Sequence, residues 1–276
     1  MSEATQPEIG ATADAGGIKT NYLEAGAGGP DVVLIHGSGP GVTSYANWRL
    51  VLPSLAENFH VVAPDMAGFG FSERPADIKY SVQTWADQVL ALMDTLGIQK
   101  AHVVGNSFGG AIALRLATQH PERVDRMVLM GSMGVSFDIT AGLNTVWGYQ
   151  PSPENMRKVL DVFAYSRELV NDELAEVRYR ASIQPGFQES FGSMFPEPRQ
   201  AQVEAMTTAA DEIRKLPHKT LLVHGREDKV IPFETSLQLL QLLDDAELHV
   251  YPHCGHWTMI ERSTDFNRLT RDFLLD

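Results

Sequence analysis

Cysteine is almost missing from this chain of 276 residues, since Cys254 stands alone, so no internal disulfide is available and stability must come from packing. No apolar run reaches the roughly 18 residues that a membrane span needs. The opening stretch MSEATQPEIGATADAGG lacks the basic and the apolar segments of a secretory signal. Together these absences set the expectation of a cytoplasmic protein. There is also no run of Lys or Arg. With 22 basic against 35 acidic residues, the net charge of -13 argues against nucleic acid or an anionic membrane as a partner. Any anionic small molecule would need a local cation. Repeats and low-complexity tracts are missing too, which excludes a solenoid or a fibre.

What is present reads as a globular α/β chain, with 43% hydrophobic and 21% charged residues. Its length suits one domain carrying an insertion better than two equal halves. Short apolar runs bounded by turn residues predict buried parallel strands at 31–35, 59–63, 101–105 and 125–131, and again at 219–225 and 246–252. Between them fall helical patterns at 81–97, opening on Ser81 and closing near Gly97, and at 107–119, with a last helix near 261–275. Strand alternating with helix implies a mostly parallel sheet with helices on both faces. The alternation stops near 134, so residues 135–210 are expected to be a helical cap inserted into a core of 1–134 and 211–276. Ser152 and Pro153 are placed to start one of its helices. The stretch at 184–200, QPGFQESFGSMFPEPRQ, carries three Phe between Gly and Pro, an irregular segment suited either to lining a pocket or to packing.

Gly105-Asn106-Ser107-Phe108-Gly109 follows a strand and opens a helix, the context a nucleophile elbow requires. Its plain alternative is a Gly-rich turn with Ser107 capping the helix. A serine hydroxyl needs a base, and the base needs an orienting carboxylate. Asp228, in HGREDKVIP, and His256, in CGHW, follow in the order Ser, Asp, His and fall after successive strands. Glu227 is the rival acid. His249, His253, Cys254 and His256 also admit a metal reading, but His249 sits mid-strand and no ligand at matching spacing joins them, so no metal is expected. His36, His60, His102, His120, His218 and His224 read as structural or exposed. For an oxyanion, one amide is expected from Phe108 and the other from Ser38 or Gly39 in LIHGSGPG.

LIHGSGPG, NWR, PDMAGFGFSERP, GNSFGG, HGREDKVIP and CGHW together resemble the meta-cleavage product hydrolases, α/β-hydrolase-fold enzymes of bacterial aromatic degradation. VWGYQPS, RYRASIQPGFQESF and MFPEPRQ extend the likeness through the insertion, toward members acting on monocyclic products. The resemblance implies hydrolysis of a carbon-carbon bond in a 2-hydroxy-6-oxohexa-2,4-dienoate, such as 2-hydroxymuconate semialdehyde, to 2-hydroxypenta-2,4-dienoate and a small carboxylic acid. It implies no cofactor, and a small dienoate as the only partner, with homo-oligomer formation left open. Ser107 would add to the C6 carbonyl or orient water to do so, His256 would move protons, and Asp228 would orient it. Arg178 would hold the substrate carboxylate, with Arg180 as its competitor. Gly39, Asn47, Asn106 and Trp257 would contact the substrate. A carboxylesterase, or a ligand receptor on the same scaffold, would share the elbow. Dehalogenases and epoxide hydrolases of this fold carry aspartate there, and Ser107 is against them.

Overall fold

The computed structural model describes residues 6–276. Its centre is an eight-stranded sheet in the order β1-β2-β4-β3-β5-β6-β7-β8. These strands are β1 (Ala11–Asp14), β2 (Lys19–Ala25), β3 (Asp31–Ile35), β4 (His60–Pro64), β5 (Ala101–Asn106), β6 (Val124–Met130), β7 (Thr220–Gly225) and β8 (Ala246–Tyr251). From β4 to β8 all neighbours pair in parallel, whereas β1 and β2 join antiparallel at one edge. The six expected strands are present with ends within one residue. The hairpin β1–β2 was not expected, because ATAD is largely exposed and KTNYLEA buries only its middle, leaving no apolar run to read.

Period-two alternation sorts the strand residues onto two faces. Val33 and Ile35 join the apolar layer that holds Trp85, Phe108 and Leu114, while Val32 and Leu34 join the layer of Trp48, Phe266 and Met130. Both faces are thus covered, as a parallel sheet requires. Ser81 caps the Val82–Thr95 helix by accepting from the Thr84 amide, and Ser152 caps Pro153–Phe163 by accepting from Asn155.

Between β6 and β7 the chain is helical, with helices at Ala141–Trp147, Pro153–Phe163, Asp172–Ser182, Phe187–Met194 and Gln200–Ala205. One open alternative is decided here. The 184–200 stretch holds a helix at Phe187–Met194, and its phenylalanines pack instead of lining the cavity described below. Arg74 lies 4.3 Å over the Phe187 ring, Phe191 meets Phe69, and Phe195 stacks on Trp147 at 4.3 Å. Spacing of four residues puts Phe187 and Phe191 on one helical face, and Phe195, just past the helix end, meets Phe191 at 5.3 Å.

The parallel strands all point the same way, so their carboxyl ends lie along one edge of the sheet. There β3 runs into His36-Gly37-Ser38-Gly39, β5 into Ser107, β7 into the Asp228 loop and β8 into the His256 loop. Topology alone gathers four segments that are far apart in sequence.

Candidate active site

Ser107 sits between β5 and the Phe108–Gln119 helix at φ 54, ψ -112, one of two non-glycine residues with positive φ among those described. Such a backbone is strained and persists only where its surroundings dictate it. The Ser107 amide donates to Met130 O at 2.9 Å, and its carbonyl accepts from Met133 N and Gly110 N. Although Ser107 occupies the helix N-cap position, its side chain makes no capping hydrogen bond among the described residues. The hydroxyl is therefore not engaged in holding the helix, which disfavours the plain capping reading.

The flanking glycines answer to close approach. A Cβ at Gly109 would lie 2.2 Å from Ile35 O, and one at Gly105 would lie 2.6 Å from Gly109 O. Gly109→Ala should therefore push the elbow off β3 and lower both the melting temperature and the activity of the folded fraction. A variant melting like the parent would show that the elbow tolerates more space than this geometry permits.

His256 is 3% exposed, and its Nδ1 lies 2.7 Å from Asp228 Oδ2. A carboxylate only accepts, so the proton belongs on Nδ1 and Nε2 keeps its lone pair. The other oxygen, Asp228 Oδ1, accepts from Val230 N at 2.7 Å and Ile231 N at 3.0 Å. Burial by itself would raise the Asp228 pKa. The charge and hydrogen bond of His256, the charge of His224 and the Val230 amide outweigh it and hold the carboxyl below its ordinary range. Glu227 is engaged elsewhere, accepting from Cys254 N and from Arg226. That arrangement favours Asp228 over its neighbour.

His224, read from sequence as structural or exposed, proves to be fully buried against this carboxylate. Its Nε2 lies 3.5 Å from Asp228 Oδ2 and 3.2 Å from Ile231 O, and its Nδ1 lies 2.7 Å from Ser236 Oγ. His36 is buried as well, and burial pushes its pKa down to about 4. The ring stays neutral, accepting from Met66 N at Nε2 and donating from Nδ1 to Gly37 O, and so fixes the turn that begins the Gly-rich loop.

A cavity of about 230 Å³ opens above these residues, walled by Gly37, Ser38, Gly39, Asn47, Asn106, Arg178, His256 and Trp257. All of the substrate contacts expected from sequence meet there. Ser107 and Phe108 do not form its wall; they follow Asn106 at the end of β5, and Asp228 lies behind His256. The Phe108 ring packs on Trp85 at 4.5 Å, leaving its amide as the group of interest. As the first residue of a helix, Phe108 has no intrahelical acceptor for its N–H. Ser38 Oγ accepts from Trp147 Nε1 at 3.0 Å, anchoring the Gly-rich loop to the insertion.

Arg178 and Arg180 separate cleanly. The Arg180 side chain is exposed and pairs with Glu176 at 2.6 Å. Arg178 turns inward, donates from Nη2 to Pro40 O at 3.1 Å and borders the cavity. Burial lowers its pKa to about 10, against a raising influence from Glu8, so it remains a cation at neutral pH. Asn47 brings a second donor. Its Oδ1 accepts from Gly37 N at 3.4 Å, while Nδ2 is buried without a partner among the described residues. A buried orphan donor in a cavity wall favours an acceptor from outside.

Among the wall residues that sequence reasoning missed are Glu8, Arg49 and Phe163. Arg49 was within reach, adjoining Asn47 in NWR. Glu8 lies in a segment with no pattern. Phe163 ends an insertion helix, and only the fold brings its ring 4.9 Å from Trp257, stacked at 14°.

A buried serine on a strained strand-to-helix turn, with a histidine–aspartate pair on neighbouring strand ends, defines a hydrolase of the α/β class. Consistent with this, residues 30–263 match the alpha/beta hydrolase fold family. Within that class the chain belongs to the meta-cleavage product hydrolases. It is 58% identical over 270 residues to a 2-hydroxymuconate semialdehyde hydrolase from Pseudomonas sp. strain CF600, covering 98% of this chain and 95% of that relative. It is 56% identical over 267 residues to a 2-hydroxy-6-oxo-2,4-heptadienoate hydrolase from Pseudomonas putida, covering 97% and 96% of the two chains. Among solved structures, a meta-cleavage product hydrolase from Pseudomonas fluorescens IP01 matches with a TM-score of 0.95 at 57% identity, covering 97% and 98%.

Proposed function

We propose that this enzyme hydrolyses the C5–C6 bond of a 2-hydroxy-6-oxohexa-2,4-dienoate, the substrate class on which its named relatives act. The observation that carries this reading is the convergence of the Arg178 guanidinium and Asn47 Nδ2, unpaired among the described residues, on the cavity that His256 borders. A neutral ester has no use for a buried cation, whereas a dienoate carboxylate does. A guanidinium suits it through paired hydrogen bonds.

Carbon is a poor leaving group unless its electron pair has somewhere to go. The 2-hydroxydienoate therefore ketonises first, its 2-hydroxyl proton moving to C5, which puts the 2-oxo group in conjugation with the bond to be broken. Ser107 Oγ then adds to the C6 carbonyl as His256 Nε2 takes its proton, and the amides of Phe108 and Ser38 receive the oxyanion. Collapse breaks C5–C6, and the pair forms C4=C5 and shifts the C3=C4 pair to C2=C3, placing the charge on the 2-oxygen. That oxygen takes the proton from His256, giving 2-hydroxypenta-2,4-dienoate. Water, deprotonated by the same histidine, releases the acyl group as a small carboxylic acid. Val42, Leu174, Val177 and Ile260 offer an apolar wall for a C6 alkyl group.

In this reading residues 135–210 are the cap, carrying Arg178 over the core of 1–134 and 211–276. The cytoplasm is the compartment we assign. No helix among the described residues is long and apolar enough to cross a membrane.

Arg178→Ala tests the assignment. The variant should lose roughly 30- to 1000-fold in kcat/KM on a dienoate, the cost of removing one partner of a buried charge contact. On a neutral ester such as p-nitrophenyl acetate it should stay within about threefold of the parent. Equal losses on both substrates would remove the argument for a carboxylate clamp and leave a plain carboxylesterase.

A further inference from the structure

The catalytic-loop histidine is tied to the insertion by a set of contacts that the reaction itself does not use. The His256 amide donates to Phe163 O at 2.8 Å, at the last residue of the Pro153–Phe163 helix. Phe163 also stacks on the imidazole, with centroids 5.7 Å apart at 19°. Beside them, the Glu261 carboxylate bridges the two segments. Its Oε2 accepts from Tyr165 N at 2.9 Å and Ser166 N at 2.8 Å, both in the insertion. Its Oε1 accepts from Gly255 N at 2.8 Å, next to His256 in the core. The Cys254 thiol lies 4.0 Å from Oε1, and the Arg262 charge also acts on the carboxyl. The fit is tight, since a Cβ at Gly255 would come within 2.7 Å of Phe163 O and 2.8 Å of Tyr165 N.

We propose that Glu261 is a positioning residue that latches the insertion to the His256 loop and thereby holds the imidazole in register with Ser107. The proposal rests on the role given above to His256 as the base. Three backbone donors converge on one carboxyl, whose pKa burial raises while these same three N–H groups pull it back toward the ionised form, to which each bond is charge-assisted and directional. The latch adds a polar tie to the Phe163 backbone bond and ring stack, across two elements that come before and after β7 in the chain. Displacing a base by about 1 Å can slow proton transfer on the order of 100-fold. A tie at the residue before the histidine thus acts on rate without touching substrate. The same tie makes the seating of the insertion over the cavity and the alignment of the base one event.

Glu261→Gln removes the latch with little change of volume. A carboxamide offers one oxygen to three N–H groups and turns its own NH₂ toward at least one of them. The expected result is a folded protein whose kcat falls about tenfold or more on both a dienoate and p-nitrophenyl acetate, while KM stays within about threefold. Both reactions need His256, so both slow together. The downfield proton resonance of His256 Nδ1–H should shift or broaden in the same variant. A purely structural role would lower the melting temperature and leave kcat per folded molecule and that resonance unchanged, and this outcome overturns the proposal. A loss confined to KM for the dienoate overturns it as well, since Glu261 would then be shaping the cavity. If Glu261→Gln does not fold, Ser166→Pro deletes one donor from the insertion side and leaves the carboxylate in place. The same fall in kcat is expected there, and an unchanged kcat overturns the latch. His256→Ala separates the two levels of inference. An active His256→Ala enzyme defeats the assignment of the base, whereas an inactive one beside a normal Glu261→Gln enzyme defeats only the latch.

Discussion

Ser107→Ala is expected to lower dienoate turnover by roughly 10,000-fold or more, the scale seen when a serine nucleophile is removed from a triad, while the protein still folds and binds the dienoate. The folding half of this expectation follows from the backbone. Ser107 holds φ 54 because its amide and carbonyl are bound to Met130, Met133 and Gly110, and alanine keeps all of those backbone bonds. The side chain makes no capping bond among the described residues, so its removal forfeits none, and the melting temperature should move by no more than a few degrees. The binding half follows from the cavity wall, where Arg178, Asn47 and Asn106 stand without help from the hydroxyl. Stopped-flow spectra of the yellow dienoate with the variant, read beside steady-state turnover, separate the two halves. Turnover within tenfold of the parent would show that another group supplies the nucleophile.

Asp228→Asn should come close to that loss, about 10,000-fold in kcat, through the tautomer of His256. Two amides, Val230 N and Ile231 N, donate to Asp228 Oδ1. An asparagine would place its carbonyl oxygen there, leaving its NH₂ where Oδ2 faces His256 Nδ1 at 2.7 Å and His224 Nε2 at 3.5 Å. Two donors then confront each other, and His256 escapes by accepting at Nδ1 and carrying its proton on Nε2. The nitrogen facing the substrate is no longer a base. KM should change little, because Asp228 lies outside the cavity wall. A loss under tenfold in kcat would mean that His256 keeps its tautomer by other contacts, with His224 the first to test.

Much of this site was legible because its signals are short in sequence. The elbow needs five consecutive residues, and strand, turn and helix around Ser107 each carry their own pattern. Asp228 and His256 were placed by their position after strands, which the apolar runs at 219–225 and 246–252 marked. The choice of Asp228 over Glu227 was another matter. Adjacent side chains in a loop diverge according to its backbone, and here Glu227 points to the Cys254 amide. Arg178 and Arg180 pose the same problem on a helix. Two positions apart they differ by about 200° in direction, so the docking of the helix on the core selects one for the cavity and sends the other to Glu176. The phenylalanines at 187, 191 and 195 were ambiguous for the same reason, and packing took all three.

The sequence by itself determined the parallel sheet, the interruption near 134, the serine elbow and the order of its partners, because each is encoded by periodicity or by a local turn. With a net charge of -13, it also implied that an anionic substrate would need a local cation. Only the tertiary structure decided that Arg178 borders the cavity while Arg180 does not, that Glu8, Arg49 and Phe163 border it too, and that Glu261 joins two segments 95 residues apart at Ser166. Contacts of that separation leave no periodic trace, since they depend on which faces of two independently formed elements the fold brings together.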